Sequence, residues 1–311
     1  MARSPRVGIA LAFLCLLILG AMPVLSNARP AGFDGLTFAI WLTIWQLVAA
    51  LPLFVLERLG RRRSAAQGDN RYSQRRALAI GIATGAMFGL ATYMYVVAAE
   101  KAGAVSMIIA LQAYPLFAML WEALFQGKRK SRTEIGCTLL MIAALVYLTT
   151  EGTFRISGIS WWSAFALGIP LLWSIAHILL RQVLVSTAVT PNQVTVSRLV
   201  VSGACLLLLY AAVGQPGALA AAMSDLAFQK AAFIMGAAYY LELLFWFYAM
   251  RHIDVSVGSS VTVPAPAVTM LISVMLLGED VQSYQVVAMG VIALGMYGLL
   301  FVGRRPVEGR A

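Results

Sequence analysis

The chemistry open to this chain sits in a few polar and aromatic side chains embedded in long apolar runs. Glu242 is the deepest acid: it lies nine residues before Arg251, which in a helix places it about 13 Å from that end of its run. Tyr239, Glu242 and Trp246 follow i, i+3, i+7 spacing and share one helix face. A carboxylate framed by rings suits the capture of an ammonium group or the exchange of a proton. Its other natural role is an ion pair with Arg198, which enters a neighbouring run. Trp173 and His177 stand at i, i+4 with Ser174 beside them, so an indole and an imidazole point the same way. A histidine placed there can bind a carboxylate or carry a proton near neutral pH, or make a helix-to-helix hydrogen bond. Tyr93, Tyr95, Gln112 and Tyr114 add polar tips on large side chains. Trp41 and Trp45, also i, i+4, face either lipid or a cavity.

Enzyme chemistry has no foothold. No His-Glu-x-x-His, Gly-x-Ser-x-Gly or P-loop occurs, and the two histidines and three cysteines show no ligand spacing. Neither a catalytic residue, a metal nor a cofactor is expected. Cys15, Cys137 and Cys205 all lie in apolar runs and read as packing residues.

The runs themselves define the architecture. Of 311 residues, 61% are apolar and 12% charged, against roughly 45 to 50% and about 25% in soluble domains. A lipid-spanning helix needs about 20 apolar residues. Such stretches recur at Val7 to Ala28, Gly35 to Leu56, Ala77 to Ala99, Ala102 to Trp121, Ile156 to Leu180, Leu199 to Ser224, Val255 to Gly278 and Val281 to Gly303. Ile135 to Thr150 is shorter, and Gln229 to Met250 is interrupted by Lys230 and Glu242. The expectation is an all-α polytopic membrane protein of ten spans. No room is left for a soluble catalytic domain.

The net charge of +10 then becomes a topology signal. With both termini cytoplasmic, 18 of the 23 basic residues fall inside, among them Arg61, Arg62, Arg63, Arg71, Arg75, Arg76, Lys128, Arg129 and Lys130. Only Arg29, Lys101, Arg155 and Lys230 fall outside, as the positive-inside rule requires. No basic and aromatic groove is visible, so a nucleic-acid partner is not expected. Arg3 and Arg6 ahead of the first run imitate a signal peptide, but the run is longer than a usual h-region and reads as a span. Trp161 and Trp162 begin the sixth span where an interfacial belt belongs, away from any site.

An offset of 151 residues lays Ala98 to Gly127 over Ala249 to Gly278, matching Pro115 with Pro266 and Gly127 with Gly278. An offset of 147 lays Gly20-Ala21-Met22-Pro23 over Leu167-Gly168-Ile169-Pro170. With five spans on either side, these matches argue a duplication, with repeats at 1–150 and 151–311. Repeats of odd span number enter the membrane from opposite sides, a construction typical of transporters with a site between the halves. Pro23, Pro115, Pro170 and Pro266 either line a cavity and gate it or merely kink their helices. The small polar set Ser256, Ser259, Ser260 and Thr262 allows close helix approach.

The blocks Tyr114-Pro115…Gly127-Lys128 and Ser259-Ser260…Pro264-Ala265-Pro266…Leu277-Gly278-Glu279, with Pro170-Leu171-Leu172-Trp173-Ser174, resemble the drug/metabolite transporter superfamily with paired EamA repeats. The resemblance covers essentially the whole chain and is greatest to the YddG-type aromatic amino acid exporters. Lys128 departs from it, standing where these repeats often carry Glu. The resemblance implies a bacterial inner-membrane exporter working by alternating access, with spans one to four and six to nine around the cavity and spans five and ten peripheral. It raises Trp173 as a cavity residue. Amino acids, aromatic ones foremost, are the expected substrates: Trp173, Tyr239, Trp246 and Tyr93 would stack on the ring, while His177, Gln112 and Glu242 would meet the zwitterion, with Tyr114 beside them. A monomer suffices for this scheme. A proton-coupled drug or metabolite exporter shares the fold, and a channel or non-transporting sensor is the remaining alternative.

Overall fold

The computed structural model describes residues 4–61, 71–114, 116–117, 120–121, 132–155, 160–186, 190–253, 258 and 261–302. All regular structure among them is helical. Lipid offers no partner for backbone N–H and C=O groups, so each apolar run satisfies its own within a helix. The helices are α1 (Pro5–Asn27), α2 (Gly35–Arg61), α3 (Arg71–Lys101), α4 (Ala104–Leu111), α5 (Arg132–Thr149), α6 (Trp161–Ala166) and α7 (Gly168–Ser186). They continue with α8 (Pro191–Val213), α9 (Ala218–Ser224), α10 (Leu226–His252), α11 (Ala265–Ile272), which runs into a π turn at Ser273–Leu277, and α12 (Ser283–Val302).

Local chemistry sets the ends. Thr190 and Gln193 form a capping box that spans Pro191 at the start of α8. Asp225 accepts from the Phe228 N–H and starts α10, which turns 92° from α9 at that point. Gly278, at φ 65°, closes the π turn in the left-handed region that favours glycine.

Five segments are long and apolar enough to cross a bilayer: Pro5–Asn27, Gly35–Leu59, Leu78–Lys101, Trp161–Leu180 and Asn192–Val213. Leu226–Trp246 joins them if taken with α9. Ile135–Thr149, Ala265–Leu277 and Ser283–Gly298 are apolar but shorter. Many large apolar side chains point outward along these helices, Phe13, Leu56, Leu208, Met275 and Leu294 among them. Lipid is the solvent that makes such a surface favourable. Trp161, exposed and at a helix start, has the position of an interfacial anchor.

The helix pairings repeat under exchange of halves. α1 packs on α10 as α7 packs on α3, and α8 packs on α3 as α2 packs on α10. α5 pairs with α12, α2 with α8 and α4 with α11, each pair mapping onto itself. Gly85 and Gly236, 151 residues apart, sit at the two matched crossings. A Cβ on Gly85 would lie 2.6 Å from the Val201 Cβ, and one on Gly236 would lie 2.6 Å from the Leu42 carbonyl oxygen. Only glycine permits those backbone approaches. The Ser202 hydroxyl uses the first, donating to the Gly85 carbonyl at 2.7 Å.

Candidate functional site

The fourth and ninth predicted spans are both broken, at matched places. α4 ends at Leu111 and the chain makes a turn at Gln112 and Ala113; 151 residues later a turn at Val263 and Pro264 precedes α11. In the first turn the N–H groups of Gln112 and Ala113 reach only three residues back, to Ile109 and Ala110. Irregular backbone at membrane depth is tolerated where it lines a cavity or is buried in protein.

A cavity of about 130 Å³ adjoins both breaks, lined by Gln112 and Tyr114 beside the first and Thr262 beside the second. Its other walls come from Leu19 of α1, Phe88 of α3, Leu111 of α4, Trp173 and His177 of α7, Arg198 of α8, Tyr239, Glu242, Leu243 and Trp246 of α10, and Met296 of α12. Both halves contribute. One water fills roughly 10 to 15 Å³ by this measure, so the space fits a small metabolite rather than a lone water.

Aromatic rings form one sector. Trp173 stacks on Tyr95, with centroids 6.3 Å apart and planes 25° apart, and lies 6.5 Å from Tyr239. Tyr239 is 6.3 Å from Tyr95. His177 lies between Phe88 at 5.3 Å and Tyr114 at 5.7 Å. The indole N–H of Trp173 and the hydroxyl of Tyr95 have no hydrogen-bond partner among the described residues. Buried polar groups are ordinarily satisfied by protein or ordered water, so these two donors are available to a further partner.

Charge forms the other sector. The i, i+3, i+7 face of α10 presents Tyr239, Glu242 and Trp246 to the cavity together. Arg198 is 5% exposed, and its guanidinium lies 4.1 Å over the Phe88 ring. Of the two roles open to Glu242, an ion pair with Arg198 is not formed: no approach within 4.0 Å joins them among the described residues. Sequence spacing sets depth along a helix but not lateral position. Here α10 and α8 bring the two side chains to one cavity without bringing them into contact.

The other expected residues separate clearly. Trp173, His177, Tyr239, Glu242, Trp246, Gln112 and Tyr114 meet in the cavity. Tyr93 is not among its walls; the opposite face of α3 turns inward, so Tyr95 joins the ring cluster and Tyr93 packs elsewhere against the core. None of Pro23, Pro170 and Pro266 is among the lining residues. Pro23 is buried within α1, Pro170 lies in the first turn of α7, and Pro266 in the first turn of α11, where a missing N–H costs nothing. Pro115, Ser256, Ser259 and Ser260 lie outside the described residues. Phe88, Leu19 and Met296 carried no signal, being apolar residues in apolar runs. Met296 shows that a helix expected to be peripheral still closes one side.

Towards the end of the bundle that holds Arg29, buried side chains of the two halves meet. Met22, Ile40, Met107, Ile108 and Ile169 are fully buried there. Gln285 donates to the Ser106 hydroxyl at 2.8 Å and the Trp45 indole donates to Gln229 at 2.8 Å, both across the halves. Arg29 forms an ion pair with Glu100, and Asn27 donates to the Ala99 carbonyl at 2.6 Å. Groups of three or more potential metal ligands do not occur among the described residues.

Comparison with known proteins agrees with this architecture. The model of the EamA-like transporter family matches twice, at residues 6–150 and 160–301. Among solved structures, 27 chains match. One, described only as the crystal structure of a protein, covers 97% of this chain and 100% of its own at a TM-score of 0.63 and 15% identity, which carries the fold alone. No curated protein matches the sequence.

Proposed function

Because the chain belongs to the EamA-like transporter family, a multi-pass membrane family of transporters rather than enzymes, we propose that it exports small metabolites, aromatic and other neutral amino acids foremost, by alternating access. Ten crossings, both termini in the cytoplasm, repeats at 1–150 and 151–311, and residence in a bacterial inner membrane belong to the same proposal. So does the likeness to YddG-type aromatic exporters.

One observation carries the reading: a cavity between the halves, beside both helix breaks, whose walls combine Trp173, Tyr239 and Trp246 with the carboxylate of Glu242. Rings on the wall bind a substrate ring of any aromatic type, each pair adding about 0.5 to 1.5 kcal/mol beyond area burial. Glu242 meets the ammonium group, and Gln112, His177 and Tyr114 complete the polar contacts. A closed packing layer on the Arg29 side and a cavity behind it is the arrangement of a carrier with one side shut. Flux is facilitative in this reading.

The unpaired carboxylate of Glu242 favours one rival, a proton-coupled exporter of drugs or metabolites. An amino-acid uptake panel in liposomes, with and without a pH gradient, decides. Saturable tryptophan and phenylalanine flux that is indifferent to the gradient supports facilitated transport. Gradient-driven accumulation lost in Glu242→Gln supports the rival, and no saturable flux at all supports a channel or sensor.

A further inference from the structure

The cavity wall includes a buried arginine whose Nε has no hydrogen-bond partner. Arg198 stands two turns into α8, counted from Pro191, and is nine-tenths buried. A cation at membrane depth is retained only with a partner or a function. The Phe88 ring covers one face of the guanidinium, yet a cation over a ring engages no N–H donor. Guanidinium has five such donors in a planar fork matched to carboxylate geometry. Its Nε is buried without any partner, and no carboxylate of the described residues approaches within 4.0 Å. Glu242, the one acid on this wall, shares the cavity and stays apart.

We propose that Arg198 is the carboxylate receptor of the cavity: its free edge holds the carboxylate of the substrate while Glu242 faces the ammonium group, so that the site selects zwitterions. The assignment rests on the amino-acid reading and sharpens it, since rings alone would accept amines, acids and neutral aromatics alike. Keeping the two protein charges apart is what makes the selection possible, because a direct Arg198–Glu242 pair would neutralise both. Phe88 fixes the plane of the guanidinium, and the His177 ring packs tilted against the same Phe88 at 5.3 Å.

Purified full-length protein in liposomes tests this through competition of phenylalanine, phenylethylamine (no carboxylate) and 3-phenylpropionate (no ammonium) against tryptophan uptake. Hydrogen bonds to a charged group imply that phenylethylamine competes about 10- to 150-fold more weakly than phenylalanine. In Arg198→Gln that gap closes and phenylalanine weakens by a similar factor, whereas Arg198→Lys retains part of the gap. 3-Phenylpropionate loses affinity in Arg198→Gln and not in Glu242→Gln. Equal competition by phenylalanine and phenylethylamine in the wild type overturns the assignment, and this arm needs no variant to fold. Tryptophan flux with an undiminished gap in Arg198→Gln also overturns it and leaves the amino-acid reading intact. If tryptophan is not moved, but 3-phenylpropionate raises the melting temperature of the wild type and not of Arg198→Gln, the amino-acid reading falls and the Arg198 assignment stands.

Discussion

Replacing Trp173 by alanine separates what a ring contributes from what mere apolar contact contributes. The indole is stacked on Tyr95 at 6.3 Å and flanked by Tyr239 at 6.5 Å, with its outer surface on the cavity. Any substrate side chain lying on it loses about 40 Å² of apolar contact in the variant, about 1 kcal/mol at roughly 25 cal/mol per Å². An aromatic substrate loses a further 0.5 to 1.5 kcal/mol or so of ring-to-ring attraction. Half-saturation for leucine should therefore rise about fivefold, and that for tryptophan about 10- to 70-fold. The tryptophan-to-leucine preference then shrinks by about 2- to 13-fold, while Trp173→Phe keeps most of it. Competition assays in liposomes read both numbers on one preparation. If Trp173→Ala weakens leucine and tryptophan by the same factor, the ring cluster is scaffolding and the aromatic reading of the cavity is wrong.

Further outcomes follow from neighbouring residues. Tyr95→Ala should erode aromatic preference in the same sense as Trp173→Ala, whereas Tyr93→Ala should leave it within about twofold, in keeping with its place off the cavity. Glu242→Gln should weaken phenylalanine and spare 3-phenylpropionate, with flux as insensitive to a pH gradient as that of the wild type; a wild-type gradient effect abolished by this change would mark proton coupling instead. Gly236→Ala places a Cβ 2.6 Å from the Leu42 carbonyl and should cost about 1 to 3 kcal/mol in detergent unfolding. Gly290→Ala, with nothing within 4 Å, should be neutral or slightly stabilising. Equal melting shifts for the two glycine variants would refute the close crossing of α2 and α10.

How much of this was legible in the sequence depends on which degree of freedom a residue settles. Apolar run length settles depth and helix type, which is why α1, α2, α3 and α12 fall close to where the runs predict them, whereas α8 starts eight residues ahead of the run Leu199 to Ser224, whose end forms the separate α9. The 151-residue match of Pro115 with Pro266 marked the two broken spans, although the breaks themselves lie two or three residues earlier, at Gln112–Ala113 and Val263–Pro264. Helical spacing grouped Tyr239, Glu242 and Trp246 correctly, since a shared face survives any rotation of the helix. Rotation itself is set by tertiary packing: Gly85 and Gly89 press α3 against α8, and that contact turns Tyr95 rather than Tyr93 towards Trp173. For the same reason Arg198 was recognisable as a charge needing an explanation, while its separation from Glu242 was not. Phe88 and Met296 are indistinguishable by type from residues that face lipid.

The central claim is that the cavity between the halves carries zwitterionic aromatic substrates across the bilayer. Uptake of radiolabelled tryptophan into liposomes holding the purified full-length chain tests it most directly. The account predicts saturable flux down the gradient, inhibited by phenylalanine and reduced at least tenfold in apparent affinity by Trp173→Ala. Flux that never saturates, or no tryptophan flux above protein-free liposomes, would contradict it.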